Sequence, residues 1–354
     1  MDKKTYDLII IGGGQSALAC AYFLRRKDID YLILDDQDSC GGSWKHTWES
    51  LTLFSPAEHS SLPGWPMPSS TNEFPTKDET IDYLCQYEER YDFPIKRPVQ
   101  VDTVNKKQDF FELKTSDGIY QAKTIISATG TFKHPFIPDI PGRENFKGEQ
   151  IHSADYRSPE AFKDKKVIIV GEGNSGAQIL AEVSQVAETY WSTRKEPEFL
   201  PDDVDGRVLF DVASAKYHAK QKGEKFDTSQ YNLGNIVMVP PVKEARKRGV
   251  LQANGQIQTL TSDGVIWEDG TRQDVDAIIW CTGFGYATQH LEDLINLDDK
   301  GKAQTKETKS QEFDGLWLVG YGGWTGFASA TLIGVGRTAK KTVNEVDQYL
   351  KKVE

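Results

Sequence analysis

No apolar run in this chain approaches the length that a bilayer crossing requires. The mean hydropathy is −0.54, so a membrane protein is not expected. Basic charge is not in excess either. Forty-two Lys and Arg stand against 53 Asp and Glu, a net charge of −11, which argues against a nucleic-acid partner. The four cysteines (Cys20, Cys40, Cys85, Cys281) form no C-x-x-C pair and no zinc spacing, so no metal is expected. No Ser-His-Asp or Cys-His grouping for nucleophilic catalysis stands out. Met1-Asp2-Lys3-Lys4 leads directly into an apolar strand, leaving no room for a signal peptide. These absences give the expectation of a soluble, reduced, cytoplasmic protein. With 354 residues, the chain can form one large or two medium domains.

The informative stretch is 166–195. A β-branched run (167–170) predicts a buried strand, Gly171, Gly173 and Gly176 form a G-x-G-x-x-G turn, and a helical pattern follows. Such a turn brings backbone N–H groups and a helix N-terminus to a pyrophosphate. Arg194 lies twenty-three residues after Gly171, beside Lys195. The same spacing occurs at the start of the chain. Ile11 precedes Gly12-Gly13-Gly14-Gln15-Ser16-Ala17, and Asp35 lies twenty-three residues after Gly12. An acidic residue there suits two ribose hydroxyls, and a cationic one suits a 2′-phosphate. The pair points to FAD at the first loop and NADPH at the second.

Between these units the expectations are coarser. The helix of the first unit is expected over 15–26. Cys40-Gly41-Gly42-Ser43-Trp44 either approaches the pyrophosphate from its other side or is an ordinary loop turn with a packed Trp. Proline-rich 50–75 reads as a long ordered loop, which either lines a site or covers a core, and His59 as a surface or packing residue. A helix is expected over 76–91, antiparallel strands over 99–104, 110–115 and 119–122, and a buried strand over 123–130 ending in Thr129-Gly130. A second buried strand, 276–284, ends in Thr282-Gly283, so each glycine-loop unit is closed by a return strand with a Thr-Gly end. His152 is read as fixing the connector through backbone hydrogen bonds rather than as a base. The region 204–255 is expected to be partly helical, punctuated by Gly234 and Pro240-Pro241, with Lys243, Arg246, Lys247 and Arg248 on a solvated face. A hairpin is expected over 265–271, a strand over 316–320 and a final helix over 331–351. The N-terminus of that helix, at Thr331, could stabilise negative charge on a flavin.

Phe146-x-Gly148-x-x-x-His152-x-x-x-Tyr156, followed by Arg157, sits between the two glycine loops. With those loops and both Thr-Gly strands, the sequence resembles the class B flavin-dependent monooxygenases over nearly its whole length, and their short bacterial members in particular. That resemblance implies an α/β protein with two Rossmann-like dinucleotide-binding domains, the second inserted into the first. The corresponding division is 1–158, 159–279 and 280–354. It implies an enzyme in which NADPH (or NADH) reduces FAD. O2 then forms a C4a-(hydro)peroxyflavin, which sulfoxidises or N-oxidises a small molecule or performs Baeyer–Villiger oxidation of a ketone.

By the same resemblance Gly12, Gly14, Ser16, Ala17, Asp35, Gly42, Trp44, Thr129, Gly130 and Thr331 would serve FAD. Gly171, Gly173, Asn174, Ser175, Thr282 and Gly283 would serve NADPH, with Thr193, Arg194 and Lys195 selecting the 2′-phosphate. Phe54 and Asn174 are the residues expected nearest the chemistry. Phe54 stands where larger members carry an Asn, so the oxygen adduct would be short-lived. The short chain implies an open, poorly selective substrate site. A flavin oxidase or reductase, or a redox accessory protein that does not oxygenate, remains the alternative. A homodimer is the base-rate expectation.

Overall fold

The computed structural model describes residues 4–208, 235–326 and 328–353. The punctuation at Gly234 lies outside them. The chain divides into two α/β units: residues 1–45, 56–134 and 284–354 form the first, and residues 46–55 and 135–283 the second.

The first unit opens with β1 (Thr5–Ile11), α1 (Gln15–Leu24) and β2 (Tyr31–Leu34). The apolar end of β1, Leu8 to Ile11, is almost wholly inaccessible, as expected of a parallel strand covered on both faces. Helix α2 (Lys77–Tyr91) starts at a capping box, in which Thr76 Oγ1 accepts from Glu79 N–H and the Glu79 carboxylate accepts from Thr76 N–H. Such a cap contributes about 1 kcal/mol. Next come β3 (Ile95–Lys96), β4 (Val101–Lys106), β5 (Phe111–Thr115) and β6 (Gly118–Ser127). The two strands expected over 119–130 are one. Its first half pairs antiparallel with β5, and its second half runs parallel to β1, from Leu8–Thr124 to Ile11–Ser127. Burial rises along β6 as it leaves the hairpin and enters the central sheet.

The second unit contains β7 (Glu149–His152), β8 (Lys166–Val170), α3 (Asn174–Val183) and β9 (Glu188–Ser192). Helix α4 (Pro240–Lys247) begins on its two prolines, whose missing N–H groups cost nothing at a helix start. Its basic run is not merely solvated. Arg246 makes a bidentate pair with Asp202, and Arg248 donates to the Ala181 carbonyl at the end of α3. Strands β10 (Ala253–Gly255), β11 (Ile257–Leu260), β12 (Gly264–Trp267), β13 (Arg272–Asp274) and β14 (Ala277–Trp280) complete it. The parallel sheet has the order β10-β9-β8-β14-β7, and β11-β12-β13 form a separate antiparallel sheet.

The chain then returns to the first unit with β15 (Thr305–Lys306), β16 (Lys309–Ser310), β17 (Leu316–Leu318) and the 22-residue α5 (Leu332–Val353). β17 joins β6, giving the order β15-β16-β17-β6-β1-β2-β3. Among the described residues no helix is long and apolar enough to cross a membrane.

Two expectations need correction. The expected boundary at 158/159 misplaces 135–158, because β7 is hydrogen-bonded to β14 in the second sheet. Residues 46–55 also belong to the second unit. There Glu49 N–H donates to the Arg157 carbonyl, Ser50 donates to Glu182, and Trp48 meets Tyr156 edge-on. The cysteines are not all reduced: Cys40 and Cys85 form a disulfide with Cα atoms 5.2 Å apart. Forty-five residues of separation hid this pair from any local motif.

A buried hydroxyl–imidazole network ties the first unit together. Ser127 Oγ lies 3.0 Å from His290 Nε2 and 2.6 Å from Tyr321 OH, and Tyr321 OH is 2.7 Å from Thr129 Oγ1. Burial lowers the His290 pKa to about 4, from an ordinary 6.5. The folded state therefore holds a neutral imidazole while the unfolded chain protonates. Stability from this group is intact above pH 6.5 and declines, by about 3 kcal/mol, as pH falls to about 4. His290→Gln is expected to be less stable at pH 7 and to show a shallower acid slope in that window. Urea titrations at several pH values check it, and an unchanged slope would remove His290 as the cause.

Candidate functional site

Each unit presents a glycine loop built to the same plan. In the first, Gly12 N–H donates to the Leu34 carbonyl (2.8 Å), and Ala128 N–H donates to the Ile11 carbonyl (2.8 Å). In the second, Gly171 N–H donates to the Ser192 carbonyl (2.9 Å), and Cys281 N–H donates to the Val170 carbonyl (2.7 Å). Gly12 and Gly171 have φ of +97° and +131°, a region that favours glycine. A Cβ on Gly12 would lie 2.8 Å from the Ala128 carbonyl oxygen, and one on Gly171 would lie 2.2 Å from that of Cys281. Both carbonyls belong to the residue just before Thr-Gly, at the end of the return strand.

The next turn of each loop is open. A Cβ on Gly14, Gly130, Gly173 or Gly283 would meet nothing within 4 Å. Gly14 and Gly173 precede α1 and α3 in extended conformation, with no side chain capping either helix and no acid in its first turn. The first-turn N–H groups are thus left to an external anion. This is the cradle that a dinucleotide pyrophosphate fits.

Gln15 assembles the surroundings of the first loop. Its amide donates to the Ala330 carbonyl (2.6 Å), just before α5, and its carbonyl accepts from Trp44 Nε1 (3.1 Å). Gly42 lies against Gly14, where an added Cβ would come 3.0 Å from the Gly14 Cα. Gly12, Gly14, Gly42, Trp44, Thr129 and Gly130 are therefore elements of one neighbourhood. Thr331 lies at the start of α5, where its hydroxyl accepts from Gly334 N–H (3.1 Å). Ser16 and Ala17 are buried, and the Ser16 hydroxyl packs on Gly320, where an added Cβ would lie 2.0 Å from it.

Asp35, the acidic residue expected at the first ribose, is already engaged within the protein. It is 3% exposed and packed on Gly13, whose Cβ would fall 2.3 Å from Asp35 Oδ2. That oxygen accepts from Arg97 Nε (2.6 Å), and Arg97 makes a bidentate pair with Glu88 at 2.8 Å for both bonds. Burial raises the Glu88 pKa, against the opposing pull of Arg97. Sequence reasoning missed Arg97 and Glu88. The two are distant from Asp35 in the chain and carry no motif.

In the second loop, Trp191 Nε1 donates to the Gly171 carbonyl (2.8 Å), and Gly176 packs directly on that carbonyl. Thr193 is buried and hydrogen-bonded through its N–H to the Gly255 carbonyl (3.0 Å). Arg194 projects outward, with 79% of its side chain exposed, and its guanidinium meets Glu172 at 2.9 Å. Hydrogen bonds from Arg194 keep the Glu172 carboxyl below its usual range, although burial opposes them. Lys195 is exposed and pairs with Glu198 at 3.6 Å. The Asn174 amide is engaged with backbone, accepting from Val237 N–H (2.8 Å) and donating to the Asn235 carbonyl (3.3 Å). Ser175 is partly exposed in the first turn of α3. Thr282 donates to the Phe136 carbonyl. Phe54, also in this unit, is half-buried and accepts from Gly206 N–H through its carbonyl (2.8 Å).

The F-x-G-x-x-x-H-x-x-x-Y signature is architectural. Gly148 sits beneath the Phe146 ring, where a Cβ would lie 2.3 Å from Phe146 Cζ. His152 Nδ1 accepts from Ala154 N–H (3.1 Å), so Nε2 carries the proton and donates to the Gly283 carbonyl (3.0 Å). Burial lowers the His152 pKa, favouring this neutral form. Tyr156 OH donates to Glu182 (2.9 Å), and Arg157 returns to the Ala154 carbonyl (2.7 Å). The expectation that His152 fixes backbone matches its contacts.

Two sheets, one mixed with a parallel centre and one parallel, each with an open glycine loop and a Thr-Gly return strand, define a two-domain oxidoreductase fold. The family model described as pyridine nucleotide-disulphide oxidoreductase matches residues 9–320. The uncharacterized oxidoreductase CzcO of Bacillus subtilis is 31% identical over 97% of this chain and 99% of its own. The indole-3-pyruvate monooxygenase YUCCA1 of Oryza sativa is 26% identical over 96% of this chain and 90% of its own. A flavin-containing monooxygenase from Stenotrophomonas maltophilia superposes with a TM-score of 0.90 and 46% identity, covering 99% of both chains. The chain belongs to the pyridine nucleotide-disulphide oxidoreductase family and, within it, to the class B flavin-dependent monooxygenases.

Replacing Arg97 by Met would leave Asp35 and Glu88 as uncompensated, largely buried carboxylates. A loss of about 3 kcal/mol at pH 7 is expected. The deficit should shrink towards pH 5 as the Glu88 carboxyl, whose pKa burial raises, takes up a proton. Denaturant titration of Arg97→Met at both pH values tests this, and a deficit independent of pH would mean that lost packing is responsible.

Proposed function

We propose that the chain binds FAD at the first glycine loop and NADPH at the second, and uses O2 to oxygenate a small molecule. The observation that carries this reading is the duplicated cradle, with a carboxylate beyond the first loop and exposed cations beyond the second. In the balanced reaction, NADPH, a proton and O2 convert a sulfide or amine to its oxide, or a ketone to an ester, with NADP⁺ and water as the other products. Reduced flavin supplies the electrons that activate O2.

The protein's own part is binding and orientation. Gly12, Gly14 and the N-terminus of α1, including the backbone of Ser16 and Ala17, would receive the FAD pyrophosphate. Gly42, Thr129 and Gly130 would approach it with backbone, Asp35 would meet the ribose, and Trp44 and Thr331 would border the flavin. Gly171, Gly173, Ser175, Thr282 and Gly283 would frame NADPH, and Asn174 would hold the 235–237 backbone beside it. Thr193, Arg194 and Lys195 would meet the 2′-phosphate. Phe54 would border the site with an apolar ring that carries no amide donor.

The first experiment is stopped-flow spectroscopy of enzyme reduced anaerobically by NADPH and then mixed with O2. A transient absorbance phase before oxidised flavin returns is expected. Direct return with stoichiometric hydrogen peroxide would favour an NAD(P)H-dependent flavin oxidase or reductase, a second reading to which the Cys40–Cys85 disulfide lends support. Nucleotide choice has its own test. Arg194→Ala should weaken NADPH roughly ten- to hundredfold, the worth of a charge-assisted contact, and leave NADH nearly unchanged. Equal losses for both would refute the 2′-phosphate role.

A further inference from the structure

We propose that Cys40 and Cys85 form a thiol-reversible modification site whose opening loosens the glycine-rich loop beside the FAD cradle. This rests on the FAD reading of the first unit. The argument begins with one face of α2. Ile81, Cys85 and Glu88 follow one another at helical spacing and so share that face. Ile81 fills the space above Gly41, where an added Cβ would fall 3.0 Å from Ile81 Cγ2. Cys85 is bonded to Cys40. Glu88 holds Arg97, which holds Asp35. A single helix face thus secures the Cys40–Gly42 loop and the carboxylate at the end of β2.

Of these three attachments only the disulfide can be made and broken chemically. Both of its residues are partly exposed, whereas Cys20 and Cys281 are free and buried. Burial pushes the Cys20 thiol up to about 12 and raises Cys281 as well, so neither offers thiolate to compete. Gly41 and Gly42 follow Cys40 with φ of +97° and +54°. Adjacent glycines regain the most conformational freedom when a tether is removed. Gly42 packs on Gly14, so movement of this loop is movement at the cradle itself.

The reductant is a low-molecular-weight thiol. Its thiolate attacks one cysteine sulfur, the S–S bond breaks, and the other cysteine leaves as a thiolate that takes up a proton. A second thiolate then attacks the mixed disulfide, giving the oxidised thiol dimer and the second cysteine thiol. Two thiols are oxidised, and two electrons and two protons reach the protein.

The test uses the full FAD-loaded chain, before and after treatment with dithiothreitol. Alkylation under denaturing conditions with mass spectrometry counts thiols, and the fluorescence of released flavin gives the FAD dissociation rate. Two alkylated cysteines before treatment and four after are expected, with FAD leaving at least tenfold faster after reduction and slowly again after reoxidation. Cys85→Ser should release FAD at the fast rate with or without reductant. The wild-type comparison stands alone if that variant does not fold. Four thiols in the untreated protein, or a release rate within twofold once the bond has opened, would overturn the proposal. A chain that cannot be loaded with FAD at all would defeat the cofactor reading, and with it the consequence assigned to the loop.

Discussion

The architecture depends on one close approach, made twice. A glycine must lie so close to the carbonyl of a neighbouring strand that an added Cβ would fall 2.8 Å from that oxygen at Gly12 and 2.2 Å at Gly171. That contact sets where each return strand ends and so fixes the Thr-Gly corner next to the open glycine. The helix behind the loop then begins with uncapped N–H groups. Substitution at Gly12 or Gly171 would displace the return strand as well as the loop, because the obstructing atom is backbone and cannot rotate away.

Each loop also carries its own supports. In the first unit Gln15 joins the loop to Trp44 and to the segment before α5, so a single amide serves three parts of the chain. In the second, Gly148 packs on Phe146 and on the backbone just before β14, His152 holds the Gly283 carbonyl, and Tyr156 is anchored to Glu182. These four residues are spaced for packing and backbone hydrogen bonding, and a neutral imidazole with both nitrogens engaged is poorly placed to act as a base. Their value to the enzyme is positional.

Much of this was legible in the sequence, for a physical reason. Buried parallel strands read as β-branched runs, and a glycine demanded by backbone geometry leaves its mark at a fixed offset. Hence both β–loop–α units, both Thr-Gly corners and α2 were anticipated. What escaped was non-local. Arg97 and Glu88 are ordinary surface-type residues until the fold brings them to Asp35, and Cys40 and Cys85 meet only when α2 docks. The unity of β6 was hidden because its two halves bury differently, so the change in pattern suggested a break where none exists. The boundary near 158 was misread because β7 is short and polar, and only its pairing reveals its sheet.

The ten-residue excursion of 46–55 carries a consequence for how such proteins can be recombined. A gene fragment encoding 135–283 alone would lack Ser50 beside Glu182, Trp48 beside Tyr156, and the Glu49 N–H that satisfies the Arg157 carbonyl. The second unit is therefore not a cassette with one entry and one exit. Grafting it onto another scaffold requires transplanting two separate stretches, 46–55 and 135–283, in register.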